Sequence, residues 1–205
     1  MMAKDSRRRG RGVEVGAGRV TDLRRRTAKR AQRETVLIDT NGKSTEKDYF
    51  NALKAMPWVQ AGRIVVIFTN KAPVELVRDA SRRKTENDFD QAWAVCDVDE
   101  FEIEKAAIEA RRKGVGLVLS NPCFEVWLIL HLTEQTSHLD NADKACERIG
   151  KLLGKEWDKS ALDFSDFEQG IAEAIKRAKL LESPPSANPS TDVWKVLEAI
   201  GYTES

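Results

Sequence analysis

Residues 92–99 read Ala92-Trp93-Ala94-Val95-Cys96-Asp97-Val98-Asp99, an apolar run that ends on two carboxylates one residue apart. Alternate side chains of a strand point to opposite faces, so a run that is apolar at successive positions describes a strand covered on both sides. Three other stretches read alike: Thr35-Val36-Leu37-Ile38 before it, Arg63 to Phe68, and Val115 to Leu119 after it. Between them lie segments with helical spacing. Tyr49, Phe50, Leu53 and Met56 give one apolar face, with Ser44 and Thr45 as capping hydroxyls. Pro73 opens a second helix with Val74, Val77 and Ala80 on one side. A third, from about Phe101 to Lys113, turns Ile103, Ala107 and Ile108 inward and is closed by Gly114. This alternation predicts an α/β fold with an open, mostly parallel four-stranded sheet flanked by helices. After Pro122 the pattern is helical throughout, at roughly 122–132, 141–153, 166–181 and 191–200, the last helix starting at Ser190 or Thr191.

The charge is divided unevenly along the 205 residues. Residues 1–33 carry twelve Lys or Arg against three acids, or +9, and the other 172 carry 22 against 30, or −8. Residues 1–33 therefore read as a basic, largely disordered N-terminal arm, and 34–205 as one domain with its own core. Such an arm suits the phosphates of nucleic acid, or it is a solvated tail. The longest apolar run, Val126 to Leu130, is far short of the ~20 residues that cross a bilayer. The arginines at the start have no apolar stretch behind them, which does not read as a secretory signal. Cys96, Cys123 and Cys146 are odd in number and widely spaced, unlike a disulfide framework or a zinc site. A cytoplasmic protein with no membrane partner is the expectation.

In an open parallel sheet the functional crevice lies at the carboxyl ends of the strands, and polar residues of this chain gather there. The first strand delivers Asp39, Asn41 and, one turn into its helix, Glu46. The third delivers Asp97 and Asp99, and the fourth delivers Asn121 and Glu125. Asp97 and Asp99 fall on one side of an extended chain. Two such charges repel by on the order of 4 kcal/mol at 4 Å and an effective dielectric of 20. A Mg²⁺ or Mn²⁺ ion turns that repulsion into attraction and is the usual means of phosphodiester cleavage; the same pair also occurs where a strand merely ends and a helix is capped. His131, beside Trp127 and Leu128, reads as a satisfied histidine of the core, and His138 as an exposed one. No Gly-rich phosphate loop or nucleophile elbow is present.

Four segments in order carry a resemblance to a known family: Asn41-Gly42-Lys43-Ser44-Thr45-Glu46 with Tyr49-Phe50; Cys96-Asp97-Val98-Asp99; Ser120-Asn121-Pro122-Cys123-Phe124-Glu125-Val126-Trp127-Leu128 through His131; and Asn188-Pro189-Ser190-Thr191-Asp192-Val193. Over about 24–200, with a basic stretch from Arg24 to Arg33 in front, the chain resembles the RloB-like family. The resemblance implies a Toprim-like fold related to OLD-type nucleases. It also implies a metal-dependent nuclease activity and a place in bacterial phage-defence or abortive-infection loci beside an AAA-type ATPase subunit (RloA-like). Asp97 and Asp99 then match the Toprim D-x-D, Glu125 the later acid, and Glu46 the glutamate of the T-E pair.

One position departs. Where the family reads C-E-G after the first strand, this chain reads Thr40-Asn41-Gly42. An asparagine carbonyl can ligate a metal but brings no charge and takes no proton, so either Glu46 or Asp39 compensates or the protein binds without cutting. The expected catalytic set is Glu46, Asp97, Asp99 and Glu125, with Asp97, Asp99, Glu46 and Asn41 around Mg²⁺ or Mn²⁺. DNA or RNA would be gripped by Arg24, Arg25, Arg26, Lys29, Arg30 and Arg33. The alternatives are a non-catalytic Toprim-like adaptor that binds nucleic acid or the ATPase, and a primase-like nucleotidyl transferase.

Overall fold

The structure, a computed structural model, describes residues 33–98 and 103–203. Among these are five strands: β1 Thr35–Thr40, β2 Arg63–Phe68, β3 Gln91–Asp97, β4 Gly116–Asn121 and β5 Ser190–Thr191. They form one sheet in the order β2-β1-β3-β4-β5. The first four are parallel, with Ile38 of β1 opposite Val66 on one side and Trp93 on the other; β5 runs antiparallel to β4. The helices are α1 Thr45–Leu53, α2 Pro73–Glu86, α3 Ile103–Lys113, α4 Glu125–Leu132, α5 Ala142–Leu153, α6 Ile171–Leu180 and α7 Trp194–Ala199. No described helix is long and apolar enough to cross a membrane.

The sheet separates two apolar layers, as alternation along its strands requires. Val36 and Ile38 of β1 and Val95 of β3 join Tyr49, Phe50 and Leu53 of α1 and the residues of α4 to α7 on one face. Leu37, Ala94 and Cys96 join Leu76, Val77 and Ala80 of α2 and Ile103 and Ala110 of α3 on the other. The first layer is the larger, and α4 is its centre: Glu125 to His131 are all buried. A helix apolar on every side must be enclosed on every side, and α5 and α6 pack against it. His131 fits this setting. Its Nδ1 donates to Trp127 O (2.8 Å) and its Nε2 accepts from the Tyr49 hydroxyl (3.0 Å). Burial lowers its pKa to about 4, so it is a neutral core residue.

Four expectations are corrected. The sheet has five strands, not four, because the stretch expected to begin the last helix at Ser190 or Thr191 is β5. Two residues are too few to show a period-2 pattern, and what creates the strand is its partner. Ser120 and Thr191 share a hydroxyl hydrogen bond (2.8 Å), and Asp192 N–H donates to Leu119 O (2.8 Å). The segment around it is held by two asparagines: Asn121 Nδ2 donates to Pro185 O (2.9 Å) and Ala187 O (2.8 Å), and Asn188 bonds both backbone groups of Leu139 (3.0 and 2.9 Å). Secondly, Ile108 is 65 % exposed; the buried stripe of α3 runs through Ile103, Ala106 and Ala110, and Ile108 falls well outside it at 100° per residue. Thirdly, Ser44 makes no side-chain capping bond to α1. The expected helix at 166–181 is two 3₁₀ turns, Phe164–Asp166 and Glu168–Gly170, followed by α6. Gly114 closes α3 as expected, with φ +62°. The basic arm, apart from Arg33, lies outside the described residues.

The two asparagine clamps generate a prediction. Asn188→Ala strands the N–H and C=O of Leu139 and costs on the order of 1–3 kcal/mol, a fall of several degrees in Tm for a chain of this size. Glu182→Ala, on the exposed surface of the same segment, changes it by less than about 0.5 kcal/mol. Thermal unfolding followed by circular dichroism separates the two.

Candidate functional site

The carboxyl ends of β1, β3 and β4 lie side by side in the sheet, and the loops beyond them enclose a cleft of about 250 Å³. Glu46, Asp97 and Glu125 line it, with Lys159 across from them and Gly42 to Thr45 forming a wall. A larger cavity, about 450 Å³, runs along α5, but its charges pair with one another, as Lys144 does with Glu147 (3.0 Å), and no strand-end residue reaches it.

Each carboxylate has a local reason for its place. Glu46 and Glu125 stand in the first turns of α1 and α4, where the free N–H groups and the helix dipole favour a negative charge. Glu46 is 7 % exposed and lies directly over Gly42, where a Cβ would overlap its carboxylate. The glycine is there for this close approach. Asp97 ends β3 opposite Ser120 of β4. Glu125, 3 % exposed, accepts from Lys159, whose Nζ is 3.4 Å from its Oε1. Lys159 belongs to the loop between α5 and the 3₁₀ turns. A turn closed by Ser160 N–H on Asp158 Oδ1 (2.8 Å) shapes that loop, and the Thr45 hydroxyl pins it to α1 by donating to Lys159 O (3.1 Å). The Thr45 hydroxyl thus ties the cleft together instead of capping the helix.

Among the described residues three acids share the cleft with Lys159, which pairs with Glu125, and with the exposed Lys43. Burial, reinforced by the Glu125 charge, pushes Glu46 up to about 7, against the pull of its own N–H and of Lys159. Asp97 is raised well above the usual carboxylate range, by burial first and then by Glu46 and Glu125. Burial also pushes the thiol of the neighbouring Cys96, on the other face of the sheet, up to about 12, which makes it an inert core residue.

The structure therefore brings together Glu46, Asp97 and Glu125. Asn41 is half-buried and outside the lining; its N–H donates to Val95 O (2.9 Å). Asp39 is on the opposite face of the sheet. It is fully buried, neither oxygen accepts a hydrogen bond of normal geometry, and burial pushes it up to about 6 while Thr69, Arg83 and Lys71 pull it down. It cannot stand in for the missing glutamate of the cleft. Asp99, Arg24, Arg25, Arg26, Lys29 and Arg30 lie outside the described residues, and Arg33 is exposed just before β1. Lys159 is the residue that sequence reasoning missed. It sits in a polar loop with no periodicity, and only the Asp158-Lys159-Ser160 turn marks it.

With this geometry in view, comparison with known proteins is decisive in one respect: a family model described as RloB-like protein matches residues 36–200. The chain belongs to the RloB-like family. No curated protein and no solved structure matches it. The match spans β1 through α7, so all three cleft carboxylates and Lys159 belong to the RloB-like region.

The donor set suits a hard divalent cation in chemistry, since its members are carboxylates that repel one another and lack counter-charge. Among the described residues, no three His, Cys, Asp or Glu side chains are placed to hold a metal ion by themselves.

The charge imbalance has a measurable consequence. Glu46 binds its proton more tightly folded, at about 7, than unfolded, at 4.5. Its contribution to stability is therefore complete below pH 4.5 and is lost as the pH rises through about 7. Glu46→Gln removes the ionisation, so it should raise Tm by several degrees at pH 8, on the order of 3 kcal/mol at most, and lose that advantage by pH 4.5. Gly42→Ala, which displaces the Glu46 carboxylate from the cleft, should likewise flatten the pH dependence of Tm between pH 4.5 and 8. Differential scanning calorimetry across this range checks both.

Proposed function

We propose that this RloB-like protein is a Mg²⁺- or Mn²⁺-dependent nuclease, which hydrolyses phosphodiester bonds of DNA or RNA. The observation that carries the reading is the convergence of Glu46, Asp97 and Glu125 beside Lys159 at the carboxyl edge of the sheet. Asp97 and Glu46 would hold the ion, with Glu125 and water completing its surroundings. A bound divalent ion supplies charge neutralisation at the scissile phosphate and a water that is acidic enough to lose its proton near neutral pH. The chain's own contributions follow from its geometry. Glu46 would be held ionised by the cation it helps to bind, so its rise to about 7 belongs to the metal-free cleft and is reversed by the ion's charge. Lys159 is half-exposed and tethered by its carbonyl, so its ammonium can leave Glu125 for a phosphate oxygen or a developing oxyanion. Burial of the acids excludes bulk water and strengthens each of these interactions.

A Toprim-like mechanism, a role in phage defence or abortive infection, and action with an AAA-type ATPase are part of the same proposal, on the strength of the family resemblance. A second reading is a Toprim-like adaptor without catalysis, favoured by Asn41 and by the absence of a ready-made three-carboxylate cage among the described residues. The two differ in their response to metal. A nuclease should cut single-stranded nucleic acid, plasmid or tRNA in Mg²⁺ or Mn²⁺, lose at least about 10²-fold in rate on Asp97→Ala or Lys159→Ala, and stop in EDTA. Mg²⁺ should also raise the Tm of the wild type at pH 8 and leave that of the Asp97→Ala variant unmoved. Cutting that survives Asp97→Ala would remove the assignment. A protein that neither cuts nor responds to metal would be the adaptor.

A further inference from the structure

The cleft is a recess with its acids at the floor. Glu46 and Glu125 are 7 % and 3 % exposed, and the space above them is about 250 Å³. Two lysines line it too, Lys43, exposed on the loop after β1, and Lys159, on the loop after α5 with its Nζ 3.4 Å from Glu125 Oε1. The walls are tied together, because Thr45 holds the Lys159 backbone and Gly42 lies against Glu46. Whatever reaches the floor must therefore be narrow; the two lysines suit flanking anionic groups, and an anion at the floor itself would need the divalent cation of the proposed function between it and the acids. A double helix is stiff over ~150 base pairs, and kinking it by tens of degrees to push one phosphate inward costs on the order of 1–6 kcal/mol. An unpaired strand has no such cost: its backbone turns freely and can present a single phosphate.

From this we infer that the cleft admits an unpaired strand and rejects duplex, with one phosphate at the floor and its two neighbours held by Lys43 and Lys159. The inference rests on the proposal that this cleft handles nucleic acid, and adds to it the class of substrate and a positioning residue, Lys43.

Binding separates the inference from the question of cleavage. The full chain carrying Asp97→Asn, so that no probe is consumed, is titrated by fluorescence anisotropy with a short labelled single strand and with the same strand annealed to its complement. Adding Lys43→Gln and Lys159→Gln should weaken the single strand about ten-fold and reduce the slope of log K against log salt by about 1.4, or about 0.7 for each phosphate that is no longer neutralised. Duplex affinity should change by less than about two-fold. Lys43→Gln alone, at an exposed position, should give an intermediate loss for the single strand with an unchanged Tm. Equal weakening of both probes, or no weakening of the single strand, overturns the inference. Strand-selective weakening in a protein that cuts nothing would instead sink the nuclease reading and leave this one standing.

Discussion

Three carboxylates drawn into one cleft, with Lys159 paired to one of them, is the constraint around which this structure is arranged. Glu46, Asp97 and Glu125 come from α1, β3 and α4 and meet because parallel strands deliver their loops to one edge. Their mutual repulsion is opposed by two helix N-termini and by Lys159. Both devices depend on close backbone placement, which explains the supports behind them. Gly42 makes room for one acid, and the Thr45 hydroxyl fixes the loop that carries the lysine.

Those supports rest in turn on the larger apolar layer. Glu125 can be 3 % exposed because the helix it begins is buried on all sides, with Trp127, Ile129 and Leu130 inside the layer formed with α5 to α7. Tyr49 links that layer to α1 through its hydrogen bond to His131, so the helices carrying Glu46 and Glu125 share one core. The aromatic residues around Tyr49 meet edge to face, Phe50, Phe124 and Trp127 among them, a geometry worth about 0.5–1.5 kcal/mol per pair beyond burial. The motif residues Asn121 and Asn188 serve this scaffold: the Asn121 amide ties the loop before β5 to β4, and the Asn188 amide ties it to the α4–α5 loop at Leu139. A motif that looks functional in sequence is here partly architectural.

Much of the fold was legible in the chain. The apolar runs at Thr35, Arg63, Ala92 and Val115 are the four parallel strands, and Gly114 ends its helix where expected. The failures have physical causes. Ile108 reads as inward because it is large and apolar, but the phase of α3 follows Ala106 and Ala110, small residues that let the helix approach the sheet and α2. The β5 strand has no pattern of its own and exists through Ser120 and Asn121.

For the site, sequence determined which acids stand at strand ends, because the position of a residue relative to a strand's last apolar side chain is local information. Which of them share a cleft was decided only by the tertiary structure. Asp39 lies near the end of β1 and Glu46 just beyond it, yet alternation puts Asp39 on the α2 face and leaves Glu46 to turn back with α1 over Gly42. Lys159 enters from far along the chain through one hydroxyl–carbonyl bond, a contact that no spacing or composition encodes. Charge type and order are written in the sequence; distance, burial and the resulting shift of Glu46 to about 7 depend on what packs around each group.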